Sequence, residues 1–207
     1  MKIFLNKLDI KIQDSLAREV SKIITKSPLF TPTIPRWGKP FRTKITNAGE
    51  WGWKSDKKGY GYIKNHPKTG ENWPEIPKIF KDLWFNFSGT KEIPNNLLIN
   101  LYENKEARLG IHQDKDENDY SIPVVSISLG NKAIFNYGKE KKKMRKIILT
   151  SGSVVVMGGN SRLFYHSVSK ILEDDSNRFN SLNLPNIPKG CRINVTLRKF
   201  SKRSDFL

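Results

Sequence analysis

The chain has 207 residues, of which 37% are apolar and 11% aromatic, so it is long enough and apolar enough to form one globular domain with a buried core. Its 37 Lys and Arg residues against 20 Asp and Glu residues give a formal net charge of +17, which favours a polyanionic partner such as nucleic acid. This composition excludes a disordered chain, and no apolar run approaches the roughly 18 residues that a membrane span needs. The alternative explanation of the charge is a solvated basic surface without a partner.

The N-terminal segment MKIFLNKLDIKIQDS lacks the apolar stretch and the cleavage site of a signal peptide. A single cysteine, Cys191, has no partner for an internal disulfide. We therefore expect a protein of the reducing cytoplasm that does not insert into a membrane.

Two amphipathic helices are predicted in the first half of the chain. Apolar residues at helical spacing predict a first helix from about Asp9 to Lys26, which Pro28 ends. The proline-rich segment SPLFTPTIPRWGKPF then predicts an irregular crossing, and EWGWKSDKKGYGY predicts a basic loop whose aromatic rings suit base stacking. A second helix is predicted from Pro77 to about Phe87.

From Asn96 onward the pattern changes to short β-rich runs separated by turn residues. These runs are LLINLY, PVVSISL, AIFNY, RKIILT, SVVVM and RINVTLRKF. GKEKKKMRK predicts a basic hairpin tip, with an ordinary solvated turn as the alternative, and LEDDSNRFNSLNLPNIPKG predicts a loop. The fold class expected is mainly β (α+β), a barrel or jelly roll with the N-terminal helices packed on the outer face of one sheet.

A metal site is suggested by His112 and Asp114, which alternation along an extended strand puts on one side. His166, at the start of a later strand, completes a set of two histidines and one carboxylate. Such a set leaves coordination positions open on a non-heme Fe(II). Taken alone, His-x-Asp is weak, because either side chain also caps turns.

The last strand, RINVTLR, carries two arginines on one face. Arg192, Asn194 and Arg198 point to the barrel interior, since Ile193, Val195 and Leu197 occupy the other face. Guanidinium groups inside a core require anions, and a small dicarboxylate such as 2-oxoglutarate would satisfy both. The alternative is pairing with interior Asp or Glu side chains, or an edge strand that faces water.

Taken together, NLLINLYEN, IHQDKDEND, PVVSISLG, AIFNYG, GSVVVMGGNSRLFYH and CRINVTLRKF closely resemble the AlkB family of DNA-repair dioxygenases. The resemblance is strongest from Asn96 to Phe200, extends back through WGWKSDKKGYGYIKNHPKTGENWP and fades in the first forty residues. It implies a double-stranded β-helix, or jelly roll, as a single domain over residues 1–207. Residues 1–95 would form helices and a nucleotide-recognition lid, and residues 96–200 the catalytic core.

The resemblance also implies the chemistry. Members of the family use Fe(II), 2-oxoglutarate and dioxygen to oxidise a base methyl group, which leaves as formaldehyde while 2-oxoglutarate becomes succinate and carbon dioxide. The implied iron ligands are His112, Asp114 and His166. The residues implied to hold 2-oxoglutarate are Asn100, Tyr102, Arg192, Asn194 and Arg198.

Four further residues are implied to recognise the substrate: Trp53, Tyr60, Tyr62 and Asp116. Trp53 would stack on a flipped base whose other face rests on His112, and the tyrosines would line the pocket and touch the nucleotide backbone. Asp116 would meet the edge of the base, where a carboxylate favours the cationic 1-methyladenine and 3-methylcytosine. In each case a packed aromatic or a turn former is the alternative role.

Two departures from the family pattern concern Tyr102 to His112, which is one residue longer than expected, and the basic hairpin, where lysines replace a phosphate-binding arginine. We expect a monomer acting on single-stranded DNA, with double-stranded DNA or RNA as other substrates. Two different functions remain: a related dioxygenase acting on RNA, a protein or a small molecule, and a basic jelly roll that binds nucleic acid without catalysis.

Overall fold

The structure, a computed structural model, describes residues 1–202; residues 203–207 lie outside the described residues. The elements in chain order are β1 (Lys2–Phe4), α1 (Ile10–Lys26), β2 (Lys44–Gly49), β3 (Gly52–Asp56), β4 (Gly59–Ile63), α2 (Lys78–Ser88), β5 (Asn96–Tyr102), β6 (Leu109–His112), β7 (Val124–Gly130), β8 (Lys132–Gly138), β9 (Arg145–Leu149), β10 (Val154–Met157), β11 (Tyr165–Leu172) and β12 (Arg192–Arg198). Short 3-10 turns lie at Gly159–Ser161 and Arg178–Asn180. No helix among the described residues is long and apolar enough to cross a membrane.

Two antiparallel sheets form the jelly roll. The larger has the strand order β1-β10-β7-β12-β5-β2, and the smaller has the order β6-β11-β8-β9. Every β run predicted from the sequence is a strand in one of these sheets, and the predicted loop after β11 contains only a 3-10 turn. The predicted basic hairpin tip connects β8 to β9. The predicted fold class is confirmed.

Both predicted helices form within one residue of their expected limits. Asp9 is the N-cap of α1, and its side chain accepts a hydrogen bond of 2.8 Å from the backbone N–H of Ile12, which supplies a partner for a donor that a helix start leaves unpaired. Helix α2 ends at Gly89, whose φ of 72° is the left-handed conformation that glycine adopts readily.

The helices cover the outer face of the larger sheet. Apolar side chains of α1 and α2 form one buried cluster with alternate residues of the sheet, which on β12 are Ile193, Val195 and Leu197. The residues between them on β12 face inward, toward the smaller sheet. The apolar alternation of β12 therefore directs its arginines into the space between the sheets, as the sequence predicts.

Residues 1–95 contain four strands in addition to the two predicted helices. Strands β1 and β2 pair with β10 and β5, so residues before Asn96 form both edges of the larger sheet. The segment predicted to be a basic loop is the β3–β4 hairpin, in which Trp53 pairs with Tyr62. Asn47 of β2 fixes the start of this hairpin, because its side chain accepts from the N–H of Trp53 and donates to the Trp53 carbonyl, at 3.0 and 3.1 Å.

Candidate active site

A cavity of about 830 Å³ opens between the two sheets. The residues predicted from sequence that line it are Trp53, Tyr60, Asn100, Tyr102, His112, Asp114, Asp116, His166, Arg192, Asn194 and Arg198. Among the described residues, Tyr62 is the only predicted site residue that does not line the cavity. Residues that are up to 145 positions apart in the chain, from Trp53 to Arg198, therefore share one cavity.

The candidate metal site consists of His112, Asp114 and His166, whose ligand atoms all lie within 4.8 Å of one another. His112 ends β6, and β11 brings His166 opposite it, with the ring centroids 4.2 Å apart. Each histidine donates from Nδ1 to a backbone carbonyl, that of Gly110 at 2.8 Å and that of Phe164 at 3.0 Å. Because each Nδ1 donates its proton to a carbonyl, the lone pair of each Nε2 is available. The Nε2 atoms of His112 and His166 lie 3.8 and 3.9 Å from Asp114 Oδ1.

The protonation states of the triad suit a divalent cation. Burial lowers the pKa of His166 to about 4, so its imidazole is neutral near pH 7. Burial alone would raise the pKa of Asp114, but neighbouring positive charges, of which Arg198 has the largest effect, hold the pKa below its usual range. A neutral imidazole, a second histidine and one carboxylate on one side of a cavity fit Fe(II) with open coordination positions.

Arg192 is buried at the inner end of the cavity with neutral partners. Its Nη1 donates to the carbonyl of Asn131 at 3.1 Å and its Nη2 to the hydroxyl of Ser128 at 2.8 Å, while Nε has no hydrogen-bond partner among residues 1–202. Burial lowers the pKa of Arg192 to about 10, so the guanidinium is still charged near neutral pH. Beside it, burial raises the pKa of the cross-strand partner Tyr102 to about 12, which keeps the phenol a donor. This group of donors fits a carboxylate.

Arg198, at the other end of β12, has acidic partners instead. Its Nη2 donates to Asp114 Oδ1 at 2.9 Å, and its Nε lies 3.5 Å from Glu117 Oε1. Pairing with interior acids was the alternative to binding a dicarboxylate. Arg198 pairs in this way, whereas Arg192 does not. Asn194, between them, donates to the Ser126 hydroxyl at 2.7 Å and accepts from Thr196 at 2.9 Å.

The mouth of the cavity is aromatic. Trp53 stacks on Tyr60 with ring centroids 5.9 Å apart and planes inclined by 19°. The indole Nε1 of Trp53 donates to Asp116 Oδ2 at 2.9 Å, which fixes the orientation of the ring. Tyr60 is 53% exposed. A flat ring is thus held at the entrance, beside a carboxylate that has further lone pairs to offer.

Comparisons with known proteins agree with this geometry. A family model described as the 2OG-Fe(II) oxygenase superfamily matches residues 1–198. "Alpha-ketoglutarate-dependent dioxygenase AlkB homolog" of Caulobacter vibrioides is 39% identical over 194 residues, covering 93% of this chain and 84% of its own. "Alpha-ketoglutarate-dependent dioxygenase AlkB" of Escherichia coli is 33% identical over 207 residues, covering 97% and 91%. The chain belongs to the AlkB family.

A solved structure supports the fold of this AlkB-family chain. OsALKBH1 superimposes with a TM-score of 0.75 at 28% identity, covering 95% of each chain. As a member of the family, the chain is a dioxygenase that uses Fe(II), 2-oxoglutarate and dioxygen. The triad and the open donors around Arg192 fit these two groups.

Two buried residues of the AlkB-family site were missed from sequence. Arg162 donates to the carbonyl of Asp114 at 2.6 Å, to that of Ile122 at 2.8 Å and to Glu117 Oε2 at 3.0 Å. It thereby fixes the backbone of the segment that carries Asp114. The second missed residue is Glu117. Both lie in motifs that supplied other predicted site residues, since Arg162 is four positions before His166 and Glu117 is three positions after Asp114.

Tyr62 contacts the same buried group. Its hydroxyl donates to Glu117 Oε1 at 2.6 Å, and its ring stacks on Phe200 at 4.4 Å. These contacts join the β3–β4 hairpin to the segment after β6. The predicted contact between Tyr62 and a nucleotide backbone stays a prediction.

Proposed function

We propose that this dioxygenase oxidatively demethylates alkylated bases in nucleic acid, with 1-methyladenine and 3-methylcytosine as the substrate class. The observation that carries the proposal is the single cavity that contains the His112, Asp114 and His166 triad together with a fixed Trp53 ring and the Asp116 carboxylate. A cavity of this kind accepts a base removed from its stack, because the ring replaces part of the lost stacking.

The residues of the chain bind and orient the reactants. His112, Asp114 and His166 hold Fe(II), which when bound supplies the centre at which dioxygen and 2-oxoglutarate are consumed. Arg192 and Tyr102 bind one carboxylate of 2-oxoglutarate, because they provide buried donors without an anionic partner. Asn100, Asn194 and Arg198 line the same cavity and would contact the remainder of 2-oxoglutarate.

Substrate selection rests on Asp116. Methylation of adenine at N1 or of cytosine at N3 makes the base cationic and leaves an exocyclic nitrogen as a donor. Asp116 retains an oxygen that can accept from this nitrogen while Oδ2 accepts from Trp53. A cationic base is therefore favoured over a neutral one at this mouth.

The finer features of the proposal come from the sequence. We propose a monomer of one domain that prefers single-stranded DNA, since a base in a single strand reaches the cavity without breaking a pair. The cytoplasm is the compartment proposed. The exposed cations of the β8–β9 turn supply phosphate contacts, which lysine makes as mobile point charges.

Mass spectrometry of a single-stranded oligonucleotide that carries one 3-methylcytosine tests the proposal. The oligonucleotide is incubated with protein, Fe(II), 2-oxoglutarate and air, beside the His112→Ala variant as control. We expect the loss of one methyl mass with the wild-type protein alone, together with one succinate per methyl group lost.

Other outcomes would redirect the search. Succinate formation without loss of the methyl group would contradict the proposed substrate and leave the dioxygenase class in place. Equal demethylation by the His112→Ala variant would contradict the assignment of the metal ligands.

A further inference from the structure

The turn between Ile34 and Lys39 holds Trp37 outward at the rim of the cavity. Trp37 is 69% exposed, more than any other large apolar side chain of residues 1–202. Single exposed apolar residues are common on protein surfaces and need no function. Trp37 differs by its position, because Ile34 and Lys39, which bracket its turn, both line the cavity.

The turn is closed by its own backbone. Ile34 N donates to the Lys39 carbonyl at 2.8 Å, and Gly38 N donates to the Ile34 carbonyl at 2.9 Å. Arg36 and Gly38 have φ values of 67° and 65°, the left-handed conformation that reverses the chain around Trp37. The ring therefore projects from a short turn with defined geometry and is not carried by an extended loop.

Cations surround the ring. Lys39 Nζ lies 5.7 Å from the centroid of Trp37, and the side chain of Lys57 passes over Gly38. Arg36 precedes the ring in the chain, and Arg42 lines the cavity beyond it. An apolar protein surface gains little from such a setting, whereas a polyanion with flat bases gains from both the charges and the ring.

We infer that Trp37 stacks on a base that flanks the one inserted into the cavity. This inference rests on the proposed function and adds to it a second binding position, separate from the Trp53 and Asp116 mouth. Its ligand is an unmodified base of the same strand, recognised by its flat face and by the phosphates beside it rather than by its identity.

The reach of the turn fits a neighbouring nucleotide. Phe41, which lies 6.4 Å from Trp53 between ring centroids, is four residues beyond Trp37. Four residues span at most about 14 Å, and the chain reversal makes the real separation shorter. These distances add to roughly 20 Å, and successive bases of a stacked strand are about 3.4 Å apart, so a strand entering at Trp53 reaches Trp37 within about six nucleotides.

Substrate length separates this role from a structural one. We would measure kcat/KM with a methylated mononucleotide and with a thirteen-nucleotide strand that has 3-methylcytosine at its centre, for the wild type, Trp37→Ala and Trp37→Phe. We expect Trp37→Ala to lower kcat/KM about tenfold for the thirteen-nucleotide strand, through KM, and to leave the mononucleotide unchanged. Trp37→Phe should retain most of the effect because it keeps a ring. Ile10→Ala, at a 59% exposed residue that starts α1, is the matched control.

Binding of an undamaged strand keeps the test independent of the chemistry. Fluorescence anisotropy with an unmodified thirteen-nucleotide strand should show about tenfold weaker binding for Trp37→Ala alone. If the wild type binds this strand but demethylates nothing, the proposed substrate fails and the binding result still decides the role of Trp37. Equal losses for the mononucleotide and the strand, or no loss for either, would overturn the inference.

Discussion

Arg192 and Arg198 lie on the same face of β12 but have opposite surroundings. Arg198 donates to Asp114 and lies within 3.5 Å of Glu117. Glu117 also accepts from Arg162 and Tyr62, so removing Arg198 would deprive Asp114, beside the metal site, of its arginine partner. Among the described residues, Arg192 donates to a carbonyl and a hydroxyl and has no acidic partner, and its Nε, like that of Arg198, makes no hydrogen bond. A buried cation in this state is costly, and an arriving carboxylate removes much of that cost. The two arginines therefore make unequal probes of 2-oxoglutarate binding.

Arg192→Met should raise the 2-oxoglutarate concentration for half-maximal turnover by tenfold or more. A hydrogen bond to a charged group contributes about 1.5–3 kcal/mol, and about 1.4 kcal/mol corresponds to a tenfold change. The melting temperature without 2-oxoglutarate should stay the same or rise, because the variant removes a buried charge that lacks an ionic partner. Succinate formation against 2-oxoglutarate concentration and a thermal melt measure the two effects. Arg18→Met, at an exposed residue of α1, is the control, and an unchanged requirement for 2-oxoglutarate would refute the role.

Two side-chain hydrogen bonds join the β3–β4 hairpin to the segment that follows Asp114. Trp53 donates to Asp116, and Tyr62 donates to Glu117. Both acceptors follow Asp114 within three residues, so the hairpin and the metal-binding segment are coupled. Arg162 supports this segment from the other side through Glu117 and the Asp114 carbonyl.

Tyr62→Phe should destabilise the protein by about 1.5–3 kcal/mol, the usual contribution of a hydrogen bond to a charged acceptor. Tyr60→Phe, in the same strand with a half-exposed ring, should change stability by less than about 0.5 kcal/mol. Urea unfolding measures both free energies. Hydrogen exchange of Gly52–Ile63 should accelerate in Tyr62→Phe alone. Equal losses of stability in the two variants would argue against a role for the Glu117 contact.

Sequence reasoning predicts elements well where apolar periodicity is strong and poorly where it is absent. The helices and the strands after Asn96 carry clear apolar patterns, and they form as expected. Ile63 is the only aliphatic residue of the two hairpin strands, whose pairing relies on glycines, cross-strand aromatics and the Asn47 side chain. The partners of Arg198 were left open for a different reason: acids from another part of the chain reach it only through the fold.

Over the whole molecule, positively charged side chains surround the cavity that contains the His112, Asp114 and His166 triad. Besides Arg192 and Arg198, the cations that line the cavity are Lys39, Arg42, Arg108, Lys115 and Lys141. We propose that the net charge of +17 attracts the polyanionic strand to the surface and that the aromatic mouth then admits one base. Affinity for nucleic acid and catalysis are therefore properties of different residues.

Affinity for an undamaged single strand should fall steeply with salt and be independent of the metal ligands. If four cations contact phosphates, the slope of log K against log salt is about −2.8, and binding weakens about 50-fold between roughly 50 and 200 mM salt. Lys115→Ala should make the slope shallower by about 0.7, while His112→Ala should change neither slope nor affinity because binding rests on the cations. Lys11→Ala, on the exposed face of α1, is the control for charge alone. Anisotropy titrations at several salt concentrations measure the slopes. A slope that changes equally in Lys115→Ala and Lys11→Ala would show that general charge, rather than the cavity rim, attracts the strand.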